Sequence, residues 1–509
     1  MNIRSRLIIL LWLSPFYYIS ASSADYRNDI GYTALQSELG ASLPNGAGVR
    51  LSHVEAAADN PPTIYLPDPN NAQFLGKTIT DKSGLSSGVY SGHATGVGAI
   101  FYGNSYSMTP GINLIDAYLA DNWLGADYLR GMGDTRKPLI SSSRVANHSW
   151  IGSTDNAATD ADILRRVDWV VARDEFIQVV GVNNGVGANS PLLSSAYNVI
   201  AVGRSDGQHT TGSPSLDSTY TAGRVRPDIV APMPTTSEAT PVVASAAALL
   251  VNVGHNNPNL STDLNTQSTT NRNGDVIYNA ERSEVVKAAL MAGADRQTNN
   301  TSSANIVDYR LDPANQTANG LDKRFGAGQI NIFNSYHMLA AGEQNSAEDG
   351  GAAAGLINAR GFDYDPHFGG AGGSNNTAQY KFSTPLGLSK LTAALVWNIK
   401  IAEGAGPAFS GAATLFDLDL LLYDISGGIP LLLADSSSST ENTENIWTSL
   451  APNRNYLLEV VPGKSQVAFD GDYALAWNLT SVPIPAALPL LFSGLGGLFL
   501  VARRRNKTR

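Results

Sequence analysis

Between about residues 46 and 341, short apolar runs alternate with helical patterns, and nothing else in the chain constrains its fold as strongly. Residues 49–54 read as a short strand, and 176–182 and 198–203 as buried ones. Residues 162–173 set Ile163, Leu164, Val167, Val170 and Val171 on one helical face, with Arg165, Arg166 and Asp168 on the other. Residues 241–251 form a helix of small residues too apolar to be exposed, and 283–292 a capped amphipathic helix. Strands alternating with helices imply a parallel sheet covered on both faces, an α/β architecture. In open sheets of that kind the site lies beyond the carboxyl ends of the strands. The polar, Asn/Thr-rich residues 256–280 read as a surface insertion.

A Gly/Ala/Ser-rich stretch, residues 340–355, reads as a linker, and the pattern then changes. Residues 391–398, 416–423, 455–461 and 473–479 read as strands separated by turn clusters, which is the pattern of a small all-β sandwich. The expected division is 25–341 for the α/β domain, 342–361 for the linker and 362–480 for the sandwich.

Composition removes whole classes of function. The chain has no cysteine, so disulfide scaffolds, thiolate metal sites and a cysteine nucleophile are excluded. A net charge of −10 leaves no basic stripe to neutralise phosphates, so nucleic acid is not an expected partner. Both ends read as addresses. Residues 1–24 run from Arg4 and Arg6 through an apolar core to Ala21-Ser22-Ser23-Ala24, a secretory signal peptide with cleavage after Ala24. Residues 486–502 are apolar and would extend roughly 26 Å as a helix. Arg503-Arg504-Arg505 follow and would stop translocation. With Val482-Pro483-Ile484-Pro485-Ala486 in front, the tail 482–509 resembles a PEP-CTERM sorting signal. That resemblance implies an exosortase-type processing partner, a transient anchor in a Gram-negative inner membrane, and a final place on the cell surface or in the extracellular matrix.

Chemistry-bearing residues sit in separated segments. Thr235-Thr236-Ser237-Glu238-Ala239-Thr240-Pro241 places a serine at the start of a small-residue helix, where an unpaired N–H can face a developing oxyanion. Ser91-Gly92-His93-Ala94-Thr95-Gly96 starts another helix with a histidine able to act as general base. Gly48-Val49-Arg50-Leu51-Ser52-His53-Val54-Glu55 is a strand ending in a carboxylate that could hold a histidine tautomer. The chain order is acid, histidine, serine.

These motifs, with Arg226-Pro227-Asp228-Ile229-Val230-Ala231-Pro232, Asn198-Val199-Ile200-Ala201-Val202-Gly203, Val286-Lys287-Ala288-Ala289-Leu290 and Phe325-Gly326-Ala327-Gly328, make residues 46–341 resemble a subtilase, a subtilisin-like serine peptidase. The resemblance implies a three-layer subtilisin-like domain that hydrolyses peptide bonds in peptide or protein substrates through an acyl-enzyme. It implies Ser237 as nucleophile, His93 as general base and Glu55 as the third member, with Asp59 the alternative acid. It implies Asn184 as the oxyanion-hole amide, Asn183 being the alternative, and Ser149, Trp150, Ile151 and Gly152 as the segment that pairs with substrate. The chain departs from the family in having Glu55 for Asp, Ala94-Thr95-Gly96 after His93, Glu238 after Ser237 and Val242 after Thr-Pro, and in the shortness of the segment between the signal peptide and Glu55. An alternative expectation follows from these departures, a catalytically impaired subtilase-fold protein that binds at the surface. The sandwich resembles the β-domain appended to many secreted subtilases through Leu395-Val396-Trp397 and Phe416-Asp417-Leu418-Asp419-Leu420. No cofactor is required; Asp417, Asp419 and Asp424 are weak candidates for Ca²⁺.

Overall fold

The computed structural model describes residues 25–58, 64–263, 266–301, 303–349, 353–366, 368, 377–463, 469 and 471–482. The expected signal peptide, Asp59 and the sorting tail beyond Val482 lie outside these residues.

Two short helices, α1 (Tyr26–Asp29) and α2 (Tyr32–Leu39), precede the sheet. Then come β1 (Leu51–Glu55), β2 (Thr78–Asp81), α3 (Gly92–Tyr102), β3 (Leu114–Leu119), α4 (Ala120–Leu124), β4 (Val145–His148), α5 (Ala157–Asp174), β5 (Ile177–Gly181), β6 (Ile200–Arg204) and β7 (Ile229–Ala231). The seven strands form one parallel sheet in the order β2-β3-β1-β4-β5-β6-β7. β1 lies between β3 and β4, with Leu51 level with Ile115 on one side and Val145 on the other. The chain leaves β1 toward β2 on one side and the adjacent β4 toward β5 on the other, so their carboxyl ends form the topological switch point where α/β sheets bind ligands.

Alternation along the strands builds two cores. Leu51, Ile177, Val179, Ile200 and Val202 join one cluster, which includes α6 (Thr236–Asn256). Val54 and Val180 join the other, with Leu164, Val167 and Val170 of α5. This is the three-layer α/β arrangement expected from the alternation. α5 starts earlier than its apolar periodicity indicates, because the Asn156 side chain caps it by accepting from the N–H groups of Ala158 and Thr159. The core helix likewise starts at Thr236, five residues before the expected Pro241, with Thr235 as its N-cap. Among the described residues α6 alone is long and apolar enough to cross a membrane, and it is the central core helix, 89% buried over its most apolar window.

The polar insertion folds as a hairpin of β8 (Ser268–Thr270) and β9 (Val276–Tyr278), tied to the end of α5 by the Arg272–Asp174 ion pair at 2.5 Å. Two further helices, α7 (Ser283–Gly293) and α8 (Ile332–Ala340), end the α/β domain. The expected linker is docked where it is described. The buried Glu343 carboxylate accepts from the Asp263 N–H and the Asn279 amide, and Gln344 N–H donates to Phe362 O.

The sandwich has two four-stranded antiparallel sheets, which use β10 (Arg360–Asp365), β11 (Ala378–Ser383), β12 (Ser389–Val396), β15 (Leu418–Asp424), β16 (Leu431–Ser436), β17 (Thr443–Leu450), β18 (Asn455–Pro462) and β19 (Tyr473–Ser481). Between β12 and β15 a hairpin, β13 (Lys400–Glu403) and β14 (Phe409–Thr414), reaches back to α5, where Phe409 lies under the Arg166 guanidinium at 4.4 Å. The domains share a core as well. Phe362, Tyr364, Val396 and Ala476 of one sheet belong to the same apolar cluster as Val285, Val286 and Leu290 of α7. The sandwich is therefore packed on the helical layer behind the sheet rather than tethered to it.

Asp417, Asp419 and Asp424 do not assemble into a cation site. Asp419 and Asp424 have odd spacing on β15 and so face opposite sides of the sheet. The Asp424 carboxylate accepts from Ser426 N–H at 2.9 Å and from Arg454 at 3.3 Å. Among the described residues no group of three His, Cys, Asp or Glu side chains is arranged to hold a metal.

Candidate active site

A cavity of about 90 Å³ opens at the carboxyl ends of β1, β4 and β5, lined by Glu55, Ser91, His93, Ser149, Trp150, Ile151, Gly181, Asn183, Asn184, Thr236 and Ser237 among others. It brings together segments far apart in the chain, and their local folding explains how.

Glu55 is the last residue of β1 and is 2% exposed. Its carboxylate accepts from His93 Nδ1 at Oε2 and from His53 Nε2 at Oε1, each at 2.9 Å. Burial alone would raise its pKa, but the His93 charge and the two imidazole bonds overcome that and hold it down at about 2. His93 lies in the first turn of α3, which Ser91 caps by accepting from Ala94 N–H. Burial works to lower the His93 pKa, but the Glu55 charge and hydrogen bond, with a smaller pull from Glu238, outweigh it and leave the ring above its ordinary value. The expected helix-starting histidine and strand-ending carboxylate thus meet directly.

Ser237 is not the residue just before the helix. It is the second residue of α6, inside the first turn. The position still has the expected property. Thr236 N–H donates to Asn184 Oδ1 at 2.9 Å and Glu238 N–H to Thr235 Oγ1 at 3.1 Å, whereas the Ser237 N–H between them has no partner among the described residues. Pro241 supplies the other local peculiarity. Lacking an N–H, it leaves the Ser237 carbonyl without its usual helical donor. Ser149 Oγ donates to that carbonyl at 2.9 Å, and Ser237 Oγ makes a long 3.4 Å contact back to Ser149 O. Gly181 lets α6 approach β5, since a Cβ there would lie 2.8 Å from Thr240 Oγ1.

Asn183 and Asn184 both line the cavity but are held differently. Asn183 Oδ1 accepts from Ser190 N–H at 3.1 Å and braces its own loop. Asn184 Oδ1 accepts from Thr236, next to Ser237, which leaves its amide N–H₂ end as the one available to a ligand. Ser149, Trp150 and Ile151 line the cavity; Gly152 does not, and its carbonyl is occupied by Leu192 N–H and Ser190 Oγ. Glu238 turns toward its own cap, where Thr235 Oγ1 donates to Oε2 at 2.9 Å, and burial raises its pKa. Val242 is fully buried in the core. The reading from sequence assigned nothing to His53 and Tyr102, which stand directly behind Glu55. The signal available was a polar pair, His53 and Glu55, at strand spacing i, i+2 within an otherwise buried strand.

No protein-family model matches the chain, and no curated protein does. Among solved structures it is similar to the prenylagaramide maturation protease PagA (16% identity, 60% of this chain and 98% of that one, TM-score 0.37). It is also similar to a cold-adapted subtilisin-like serine proteinase (18% identity, 46% and 88%, TM-score 0.27). A third similarity is to the pre-peptidase C-terminal domain of a collagenase from Bacillus anthracis (14% identity, 25% and 92%, TM-score 0.18).

Proposed function

We propose that the chain is an exported serine endopeptidase that cleaves peptide or protein substrates through a Glu55–His93–Ser237 triad. The observation that carries this reading is the 2.9 Å bond from His93 Nδ1 to a buried carboxylate, on the wall of the same cavity as Ser237. With its Nδ1 proton committed to Glu55, neutral His93 has Nε2 as its basic nitrogen. Ser237 Oγ attacks the scissile carbonyl while Nε2 takes its proton, and the imidazolium is stabilised by Glu55. The C–N bond then breaks, His93 returns the proton to the leaving amine, and water hydrolyses the acyl ester by the same steps. The unpaired Ser237 N–H and the Asn184 amide are the donors for the tetrahedral oxyanion. Ser149, Trp150 and Ile151 form the wall along which an extended peptide would lie. Export rests on the two terminal addresses in the sequence.

A fluorophosphonate probe, which traps an activated serine, tests the reading. Labelling should be lost in Ser237→Ala and in His93→Ala. A folded wild-type chain that does not label would refute the peptidase and favour the binding protein.

A further inference from the structure

The bond behind the triad acid goes beyond these catalytic roles, though it rests on the proposed peptidase. We propose that His53 is a positioning residue. Its Nε2–H pins the second oxygen of Glu55, and the Tyr102 hydroxyl occupies the other ring nitrogen.

His53 and Glu55 sit two residues apart on β1, so they share the face of the sheet that α3 covers. His53 is 1% exposed, and both ring nitrogens are engaged, Nε2 with Glu55 Oε1 and Nδ1 with the Tyr102 hydroxyl, each at 2.9 Å. The direction of the chain of bonds is fixed at both ends: the ionised Glu55 carboxylate can only accept, and the hydroxyl donates. Tyr102 is fully buried, and burial holds its pKa well above the ordinary phenol value, so it keeps its proton. His53 is its only hydrogen-bond partner among the described residues, and a buried O–H without an acceptor is costly, so the phenol donates to Nδ1. The His53 proton then resides on Nε2 and points at Glu55. The carboxylate consequently receives one N–H on each oxygen, from His53 on its own strand and from His93 on α3.

This arrangement accounts for the longer acid. A glutamate has one more rotatable bond than an aspartate, and a single bond to His93 would leave that freedom unrestrained. The second bond removes it. α3 is adapted to the same end. Gly98 occupies the interior of α3, where Ala is ordinarily preferred. A Cβ at Gly98 would lie 2.7 Å from the Tyr102 hydroxyl and 3.0 Å from Phe74, so glycine leaves the space the phenol occupies. His148 on β4 is level with Val54 and so lies on the opposite face of the sheet, with its Nε2 bonded to Gln178.

The test uses the full chain with the fluorophosphonate probe, whose saturation kinetics separate binding (KI) from serine attack (kinact). His53→Phe should lower kinact about 10- to 100-fold, the loss expected for a hydrogen bond to a charged group, with KI unchanged. His53→Gln, which can present an amide N–H in place of Nε2–H, should restore most of the rate. Long-range ¹H–¹⁵N spectra of the wild type should show His53 protonated at Nε2, and Tyr102→Phe should leave the proton there, because the Glu55 carboxylate can only accept. A proton on Nδ1 in the wild type overturns the proposal whatever the activity. So does a folded His53→Phe with wild-type kinact. If His53→Phe does not fold, a folded His53→Leu with wild-type kinact overturns it equally. A wild type that shows the Nε2 tautomer but does not label refutes the peptidase reading and leaves the bond itself established.

Discussion

Replacing Glu55 by Gln keeps its shape but gives it one acceptor where the site needs two. Both carboxylate oxygens accept an imidazole N–H at 2.9 Å, so in the variant the amide N–H₂ must oppose one of them. If it opposes His53, that ring must move its proton to Nδ1 and the buried Tyr102 hydroxyl loses its acceptor, at a cost of about 1–3 kcal/mol. If it opposes His93, the proton moves to Nε2 and the general base can no longer accept from Ser237. The second arrangement is cheaper for the fold and disables the chemistry. Together with the lost anion, kcat should fall by about 10⁴, as for other triads whose acid is made an amide. Part of that loss is due to the misplaced proton. Tyr102→Phe should not recover it, because the Nδ1–H of the first arrangement would then be buried without an acceptor. The assay is hydrolysis of a labelled protein substrate such as casein, with thermal unfolding as the control for folding. Full activity in Glu55→Gln would remove Glu55 from the triad. A double variant with Tyr102→Phe that is much faster than the single one would refute the tautomer argument.

Asn184→Ala should lower kcat about 10²–10³-fold with little change in KM, whereas the same loss from Asn183→Ala alone would move the oxyanion role by one residue. Because Glu238 adds to the pull that raises the His93 pKa, Glu238→Gln should move the acid limb of the kcat/KM profile to lower pH; a limb that stays in place would refute that coupling. Burial pushes Glu343 and Asp349 up to about 7, and burial with the Asp365 carboxyl beside it raises Glu348. The unfolded chain ionises these groups from about pH 4.5 while the folded one still holds their protons, so their contribution to stability is full below that pH and is lost as pH rises to 7 and beyond. Glu348→Gln should therefore match the wild type in Tm at pH 4.5 and exceed it by at least about 2 °C at pH 8, and an equal or lower Tm at pH 8 would contradict this. Deleting residues 483–509 should release the protein into the medium, and cell fractionation that finds it retained as before would refute the sorting-tail reading.

Local pattern was enough for the scaffold and for picking out the residues of the proposed triad. The apolar runs at β5 and β6, the alternation of strand and helix, and the period-2 stretches at β12 and β19 are properties of neighbouring residues, so they are legible without coordinates. His93 and Ser237 were legible for a related reason, since each stands among small residues at a helix start. Boundaries were less so. α6 begins at Thr236 because a threonine cap and the Asn184 amide satisfy its first N–H groups, and Asn184 comes from 52 residues upstream. The β13–β14 hairpin was missed because its partner surface, α5, is distant in sequence and few of its residues are apolar.

The sequence by itself determined the architecture, an α/β domain followed by a sandwich, and the residue types available for chemistry, because periodicity and side-chain chemistry are local. Only the tertiary structure decided which of them act on one another. That Glu55 is held by two histidines depends on β1 lying beneath α3, and the direction of those bonds depends on a buried carboxylate that can only accept. That the linker is docked and the two domains share α7 depends on apolar surfaces whose partners lie far along the chain. Hydrogen-bond direction and burial are properties of a closed three-dimensional arrangement, which no window of sequence contains.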